Sequence, residues 1–180
     1  MKRDRLRVGF VGLGANTRLR HVPGLRACEN VELLAVCNRR PESTARAARE
    51  LGIPRTFDHW QALVADPDID AVVIGTWPYL HAPITLAALA AGKHVLCEAR
   101  MAMNAAEARQ MLAASLQHPE LVCQIVPSPL GLHVHRTVLD LLAQNYLGQL
   151  REVVAIATSD VYANSESPLH WRQTAELSGL

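Results

Sequence analysis

The stretch from Arg7 to Thr17, RVGFVGLGANT, constrains the fold more than any other part of the sequence. Its first half, Arg7–Leu13, is apolar enough to be a strand that is buried on both faces of a parallel sheet. The strand runs into Gly12 and Gly14, which begin a G-x-G-x-x-G pattern whose third position is Thr17. A strand, a glycine turn and a helix in succession bring free N–H groups to a phosphate. The pattern predicts a dinucleotide-binding turn, and a purely structural turn is the alternative.

The sequence after this turn alternates between strand and helix patterns up to residue 126. Short apolar runs predict strands, here Arg7–Leu13, Val31–Asn38, Arg55–Asp58, Ala71–Gly75, His94–Cys97 and Leu121–Val126. Helical patterns separate them, at residues 14–25 and at Pro41–Leu51, His59–Ala65, Ala82–Ala91 and Asn104–Gln117. Such alternation is typical of crossover units and a parallel sheet. We therefore predict an α/β fold over residues 1–126, a Rossmann-type doubly wound parallel sheet.

The pattern changes at Pro127-Ser128-Pro129, because proline neither donates to a sheet nor continues a helix. A helix over Leu132–Asn145 and a strand over Gln149–Thr158 are predicted next, followed by a polar tail without clear periodicity. A single strand needs a partner to form a sheet. We therefore expect residues 127–180 to be the incomplete beginning of a second domain, and the chain to be a fragment of a longer protein.

Composition limits the partners and the compartment. The net charge of +1 gives no basis for binding nucleic acid or a membrane surface. Neither a signal segment nor an apolar run long enough for a membrane span is present in the sequence. The four cysteines lack disulfide or metal-ligand spacing, so we expect free thiols, no metal site and a cytoplasmic protein.

The end of the second predicted strand bears on the choice of cofactor. NAD-binding units usually place an acid there to bind the ribose 2′-hydroxyl. This chain has Asn38, Arg39 and Arg40 instead. A guanidinium suits a 2′-phosphate, so we favour NADP(H) over NAD(H). The alternative is that the arginines are the solvated start of a helix.

Two further strand ends carry candidate site residues. Ligands of open α/β sheets bind beyond the carboxyl ends of strands. Thr76 and Trp77 follow the fourth predicted strand, and we expect them to line the nicotinamide half of the site. His81 is a candidate in the same loop, and a capping or packing role is the alternative. Glu98 and Arg100 follow the fifth strand, where substrate would meet the cofactor.

The residues from Asp70 to Met103, DAVVIGTWPYLHAPITLAALAAGKHVLCEARMAM, resemble the Gfo/Idh/MocA family of NAD(P)-dependent oxidoreductases. The glycine turn, the end of the second strand, the threonine loop and the GKHVLCE segment match that family in order. The resemblance extends from Arg7 to about Thr158, and the ending WRQTAELSGL is similar to a stretch of the family's second domain.

The resemblance implies a Rossmann domain followed by an α+β domain, with a sugar, cyclitol or related polyol bound between them. It implies cofactor contacts from Gly12, Gly14, Ala15, Asn16, Thr17, Asn38, Arg39, Arg40, Thr76, Trp77, His81 and Glu98, and a homo-oligomer formed through the C-terminal sheet. The family's usual lysine is replaced by Ala99, which leaves Glu98 and Arg100 as the catalytic candidates.

The lysine's absence bears on catalysis, because alanine cannot accept the hydroxyl proton that leaves during oxidation. The resemblance places the family's later catalytic residues beyond Leu180, so we expect no turnover from this chain alone. A non-catalytic nucleotide-binding sensor or subunit is the alternative, and an α/β protein that binds a different phosphate ligand is a third hypothesis.

Overall fold

The computed structural model describes residues 4–126, 134–154, 156, 158, 160 and 163–179. The chain divides into two compact units. The first comprises Met1–Val126 together with Trp171–Leu180, and the second is Pro127–His170.

A six-stranded parallel sheet forms the centre of the first unit. Its strands lie in the order β3-β2-β1-β4-β5-β6. Their bounds are β1 Leu6–Val11, β2 Val31–Cys37, β3 Arg55–Thr56, β4 Ala71–Ile74, β5 His94–Cys97 and β6 Cys123–Ile125. The strand order reverses direction at β1, which lies between β2 and β4. The predicted Rossmann-type α/β fold is confirmed, with each strand near its predicted position.

Helices connect the strands. They are α1 Val22–Arg26, α2 Pro41–Leu51, α3 Trp60–Ala65, α4 His81–Ala90 and α5 Ala105–Gln117. Their ends follow the local sequence signals. Gly52 ends α2 with a left-handed φ of +58°. Asn104 caps α5, since its side chain accepts the Glu107 N–H at 3.0 Å while the Glu107 carboxylate accepts the Met103 N–H at 3.0 Å.

The segment after the glycine turn differs from a regular helix. Residues 15–16 are α-helical, Thr17–His21 forms a π-helical segment, and α1 continues from it. Helical periodicity in the sequence indicates a helix at residues 14–25 but does not reveal the wider π turn.

Side chains on both faces of the sheet are buried. Val72 and Ile74 of β4 belong to one apolar cluster, while Val73 between them belongs to the other. Consecutive strand residues point to opposite faces. Helices therefore cover both faces, as the doubly wound arrangement requires.

The second unit contains α6, His135–Ala143, which is shorter than the predicted helix. The predicted strand over Gln149–Thr158 is wrong for the residues described in that range, 149–154, 156 and 158, since none forms a strand. A strand is stable only with a hydrogen-bonded partner, and the side chains of Val153, Val154 and Ile156 remain exposed. The predicted break at Pro127-Ser128-Pro129 lies outside the described residues.

Two short elements end the described chain: a 3₁₀ turn at Trp171–Gln173 and helix α7 at Ala175–Ser178. Residues 171–179, called here the C-terminal segment, belong to the first unit. The sequence predicts only a polar tail here. None of the described helices combines the length and the apolarity needed to cross a membrane.

Candidate dinucleotide-binding site

A cleft of about 640 Å³ lies at the carboxyl ends of β1, β2, β3 and β4. It is the edge at which open α/β sheets bind ligands, next to the point where the strand order reverses. Its lining residues are Val11, Gly12, Leu13, Gly14, Arg18, Cys37, Asn38, Arg39, Ser43, Arg46, Glu50, Asp58, His59, Trp60, Gly75, Thr76, Trp77, Tyr79 and Leu80.

The two glycines of the turn have different surroundings. Gly12 has a φ of +86°, and a Cβ there would lie 2.7 Å from both the Gly75 carbonyl carbon and the Thr76 nitrogen. Its N–H donates to the Cys37 carbonyl at 2.9 Å, which ties the turn to the end of β2. Gly14 faces more open space, since the nearest atom to its hypothetical Cβ is the Gly75 oxygen at 3.7 Å. Gly12 therefore allows close packing, while Gly14 leaves room for a ligand.

Thr17, at the third position of the glycine pattern, is buried against Gly75. Its hydroxyl is 3.4 Å from the Gly12 carbonyl oxygen, to which it donates. A Cβ on Gly75 would overlap both that hydroxyl and the Gly12 oxygen. Thr17 is larger than the glycine of the full pattern. The space for its side chain exists because Gly75, at the end of the neighbouring strand, has none. The sequence indicates Gly75 as the end of the fourth strand, directly before Thr76 and Trp77, but not its packing against Thr17.

Asn38 holds the turn in place. Its side-chain oxygen accepts the Leu13 N–H at 2.7 Å, and its side-chain nitrogen donates to the Ser43 carbonyl at 3.1 Å. The Asn38 N–H donates to the Thr44 hydroxyl at 2.9 Å. The amide thus connects the turn after β1 to the first turn of α2 and acts as a positioning group.

Arginine side chains after the end of β2 and on α2 bring positive charge to the cleft. Arg39 and Arg46 line it, together with the Ser43 hydroxyl side chain. Arg40 is not among the lining residues, and its carbonyl accepts the Ser43 hydroxyl at 2.9 Å. The sequence identified Arg39 but missed Arg46, because only the turn of α2 brings a residue seven positions further on to the same cleft.

Arg18 also lines the cleft but is engaged with a carboxylate. Its guanidinium lies 2.5 Å from Glu50 Oε2. This hydrogen bond holds the pKa of Glu50 below its ordinary value. Among the described residues that line the cleft, Arg39 and Arg46 are therefore the arginines that do not belong to this ion pair.

The loop after β4 brings an unsatisfied hydroxyl and an indole to the cleft. The hydroxyl oxygen of Thr76 is buried and has no hydrogen-bond partner among the described residues. The guanidinium carbon of Arg39 lies 5.9 Å from the ring centroid of Trp77. Since Arg39 lies two residues beyond β2, Trp77 is near the end of the cleft at which doubly wound folds bind the adenosine of a dinucleotide. The sequence indicates the nicotinamide half for Trp77 instead, and both places remain predictions.

His81 joins two loops. Its side chain is buried, with Nδ1 2.6 Å from the Arg100 carbonyl oxygen and Nε2 3.0 Å from the Thr76 carbonyl oxygen. The ring does not line the cleft. Its contacts fit the packing role that the sequence left open, because they connect the loops after β4 and β5.

The two catalytic candidates are engaged within the protein. The Glu98 carboxylate accepts a hydrogen bond from the Asn16 side-chain amide, and the same oxygen lies 2.6 Å from His21 Nε2. The Arg100 guanidinium donates to the Ser178 carbonyl at 2.8 Å. Neither side chain lines the cleft. The structure thus brings together Gly12, Gly14, Asn38, Arg39, Thr76 and Trp77, and separates Ala15, Asn16, Thr17, Arg40, His81, Glu98 and Arg100 from the cleft lining.

Potential metal ligands are dispersed. Within the described ranges, no group of three or more His, Cys, Asp or Glu residues is placed to hold a metal ion.

The model of a family described as "Oxidoreductase family, NAD-binding Rossmann fold", GFO_IDH_MocA, matches residues 6–125. Levoglucosan dehydrogenase from Pseudarthrobacter phenanthrenivorans is 32% identical over 144 residues, which cover 77% of this chain and 35% of that protein.

Two solved structures are similar in fold. One is scyllo-inositol dehydrogenase from Lactobacillus casei with bound NAD(H) and scyllo-inositol, at 26% identity and a TM-score of 0.69, covering 80% of this chain and 42% of that one. The other is KijD10, a 3-ketoreductase from Actinomadura kijaniata, in complex with TDP-benzene and NADP. It shows 29% identity and a TM-score of 0.67, covering 78% of this chain and 44% of that one. The chain spans less than half the length of these three proteins.

Proposed function

The chain belongs to the Gfo/Idh/MocA oxidoreductase family with its NAD-binding Rossmann fold, and from this premise we propose that it is the dinucleotide-binding part of an NAD(P)-dependent oxidoreductase acting on a sugar, cyclitol or related polyol. One observation carries the proposal. Thr76, whose buried hydroxyl has no hydrogen-bond partner among the described residues, lines a cleft beside Gly14, the glycine with open space in front of it. An unpaired buried hydroxyl is costly unless a ligand satisfies it.

The residues of the cleft fit a dinucleotide. Gly14 lets the backbone approach a pyrophosphate at the start of the helical segment that follows the turn. The Thr76 hydroxyl supplies a donor. Leu13 is fixed by Asn38, so the turn is already shaped for the ligand. When bound, the nicotinamide accepts or donates the hydride.

The cationic residues favour NADP(H) over NAD(H). Arg39 and Arg46, with the Ser43 hydroxyl, line the cleft on the side of β2 and α2. A 2′-phosphate needs charged donors at this place, and a guanidinium provides them. Asn38 stands where a carboxylate would bind the ribose 2′-hydroxyl, and its amide is already engaged.

The substrate class comes from the relatives, which are named for levoglucosan and scyllo-inositol. Removing a hydroxyl proton needs a base. Ala99 offers none, and Glu98 and Arg100 are held by Asn16, His21 and Ser178. We therefore place the proton-transferring group outside the described residues of the first unit.

The same features support a second candidate, a non-catalytic nucleotide-binding sensor or subunit. Incubating the chain with NADP⁺ and a panel of sugars and inositols, while following NADPH absorbance, separates the two. Since no turnover is expected from this chain alone, the same assay is also run on a protein of its relatives' length. Turnover of any polyol supports the enzyme, and tight NADP⁺ binding without any turnover supports the sensor.

A matched pair of variants tests the site. Thr76→Val removes the hydroxyl and keeps the shape, so it is expected to weaken NADPH binding about two- to tenfold, the effect of one hydrogen bond. Thr85→Val is the control, because the Thr85 hydroxyl oxygen on α4 is also buried and Thr85 does not line the cleft. Equal NADPH affinity of both variants and the unmodified chain would contradict the proposed site.

The remaining features concern residues 127 onwards. The proposal includes an α+β domain beginning at residue 127 and a homo-oligomer formed through it, because Val153, Val154 and Ile156 expose apolar side chains that another chain would cover. The cytoplasm suits the four free cysteines. Sedimentation velocity of the chain checks the association, and a monomer at all concentrations would contradict it.

A further inference from the structure

Four side chains from three parts of the first unit form a row beside the cleft. The Arg39 guanidinium lies 5.9 Å from the Trp77 ring centroid. The Trp77 and Trp171 rings stack, with centroids 6.2 Å apart and planes inclined by 22°. The Arg172 guanidinium lies 4.3 Å from the Trp171 ring. The row joins the end of β2 to the loop after β4 and to the C-terminal segment.

Trp77 lies where an adenine ring needs a flat apolar surface. In a doubly wound sheet, the adenosine half of a dinucleotide binds towards the end of β2, with the pyrophosphate over the turn after β1. Trp77 and Arg39 both line the cleft at that end. Bases stack on aromatic side chains with a substantial gain in binding free energy.

Trp171 is held in place by the rest of the C-terminal segment. The Arg100 guanidinium donates to the Ser178 carbonyl at 2.8 Å. Gly179 lies so close to Met103 that a Cβ at position 179 would overlap the Met103 carbonyl. These contacts fix the segment on the loop after β5, so the stacked Trp171 ring limits the positions open to Trp77.

We propose that Trp77 is the adenine-stacking residue of the cleft and that Trp171 positions its ring. This inference rests on the proposed binding of a dinucleotide. Arg39 lies over the Trp77 ring and turns to the 2′-phosphate when NADP(H) binds, which leaves the ring face to adenine. A dinucleotide without that phosphate competes with Arg39 for the same face, which adds to the preference for NADP(H).

Adenosine 2′,5′-bisphosphate is the probe, because it contains the adenine and the 2′-phosphate without the nicotinamide. Calorimetric titration is expected to show Trp77→Ala binding it at least about tenfold more weakly than the unmodified chain, with Trp77→Phe close to the unmodified value. Trp171→Ala is expected to weaken it several-fold, and Trp171→Phe to restore most of the affinity. Glu176→Ala, at an exposed position of α7 outside the row, is the matched control in the C-terminal segment and is expected to leave the affinity unchanged.

Fluorescence supplies a readout that a merely structural role would not change. Bound adenosine 2′,5′-bisphosphate is expected to quench tryptophan emission in the unmodified chain, and Trp77→Phe is expected to lose most of that quenching. Circular dichroism at rising temperature verifies that each variant folds.

The outcomes distinguish this inference from the proposed function. If the unmodified chain binds NADP⁺ but Trp77→Phe shows full quenching, or folded Trp77→Ala binds the probe normally, the stacking role is wrong and the dinucleotide site stands. If Trp171→Ala binds the probe as tightly as Glu176→Ala does, the positioning role is wrong. If neither NADP⁺ nor the probe binds the unmodified chain, the proposed function itself fails.

Discussion

The hydroxyl of Thr17 occupies the space that a side chain at Gly75 would need. Gly75 follows β4, and Thr17 lies in the π-helical segment after the turn of β1. The helix therefore packs closely on the sheet although its own third glycine is absent. Threonine at the third position of the glycine pattern and glycine at position 75 are therefore two parts of the same packing arrangement.

Gly75→Ala is expected to lower the free energy of unfolding by about 1–3 kcal/mol, since the added methyl group would overlap Thr17 and the Gly12 carbonyl. Urea unfolding followed by circular dichroism measures the change. Gly24→Ala in α1 is the control, because a Cβ there meets no atom within 4 Å. A Gly75→Ala variant as stable as the unmodified chain would show that this close packing is absent in solution.

Asn38→Ala is expected to destabilise the chain by about 1–3 kcal/mol, because the Leu13 N–H loses its acceptor. Asn38→Asp keeps that acceptor and loses only the donor to Ser43, so it is expected to be less destabilising. Denaturant unfolding measures the free energy of unfolding of both variants and shows which of them is less stable. If Asn38→Asp proved the more destabilised of the two, the bond to Leu13 would not be the main contribution of Asn38.

Arg39→Ala is expected to reduce the affinity for NADP⁺ about tenfold or more while leaving the affinity for NAD⁺ unreduced, because only NADP⁺ carries the 2′-phosphate that the guanidinium binds. Arg40→Ala serves as the control of equal charge change, since Arg40 does not line the cleft. Fluorescence titration with both cofactors measures the ratio. If Arg40→Ala lost more affinity for NADP⁺ than Arg39→Ala, then Arg40 would be the residue that binds the 2′-phosphate. Arg40 is the other position that the sequence indicates for this role.

The buried thiols predict a loss of stability at high pH. Burial raises the pKa of Cys97 to about 12 and that of Cys37 to about 11, from an ordinary 9.0. Above pH 9.0 the unfolded chain releases these protons and the folded chain keeps them, so stability falls as the pH rises towards the folded-state pKa values. The expected slope is up to about 1.4 kcal/mol per pH unit for each thiol.

Urea unfolding of the unmodified chain and of Cys97→Ala at several pH values above 9.0 measures this slope. The variant is expected to lose stability less steeply, because it has one buried thiol fewer. Identical slopes would show that Cys97 does not contribute to the pH dependence.

The sequence predicts the sheet well because each strand carries its own signal. Buried apolar runs such as Ala71–Ile74 and His94–Cys97 lie between clear helix boundaries, and the cap at Asn104 is local. The strand expected over Gln149–Thr158 shows the limit of that reasoning. Its apolar residues indicate strand propensity, but a strand also needs a partner that the local sequence does not specify.

The site was less predictable because its parts come from distant positions. Glycine and arginine patterns indicated Gly12, Gly14 and Arg39, which line the cleft. Trp77 and Trp171 are 94 positions apart, and no local pattern predicts their stacking. The engagement of Glu98 with His21 likewise depends on tertiary contacts, as does the approach of Arg46 to the cleft.

Calorimetric titration of the purified chain with NADP⁺ and with NAD⁺ tests the central claim most directly. We expect one binding site per chain, with NADP⁺ bound at least about tenfold more tightly than NAD⁺ because of the cationic end of the cleft. Binding of neither cofactor would contradict the dinucleotide site itself, and equal affinity for both would contradict the assigned role of Arg39 and Arg46.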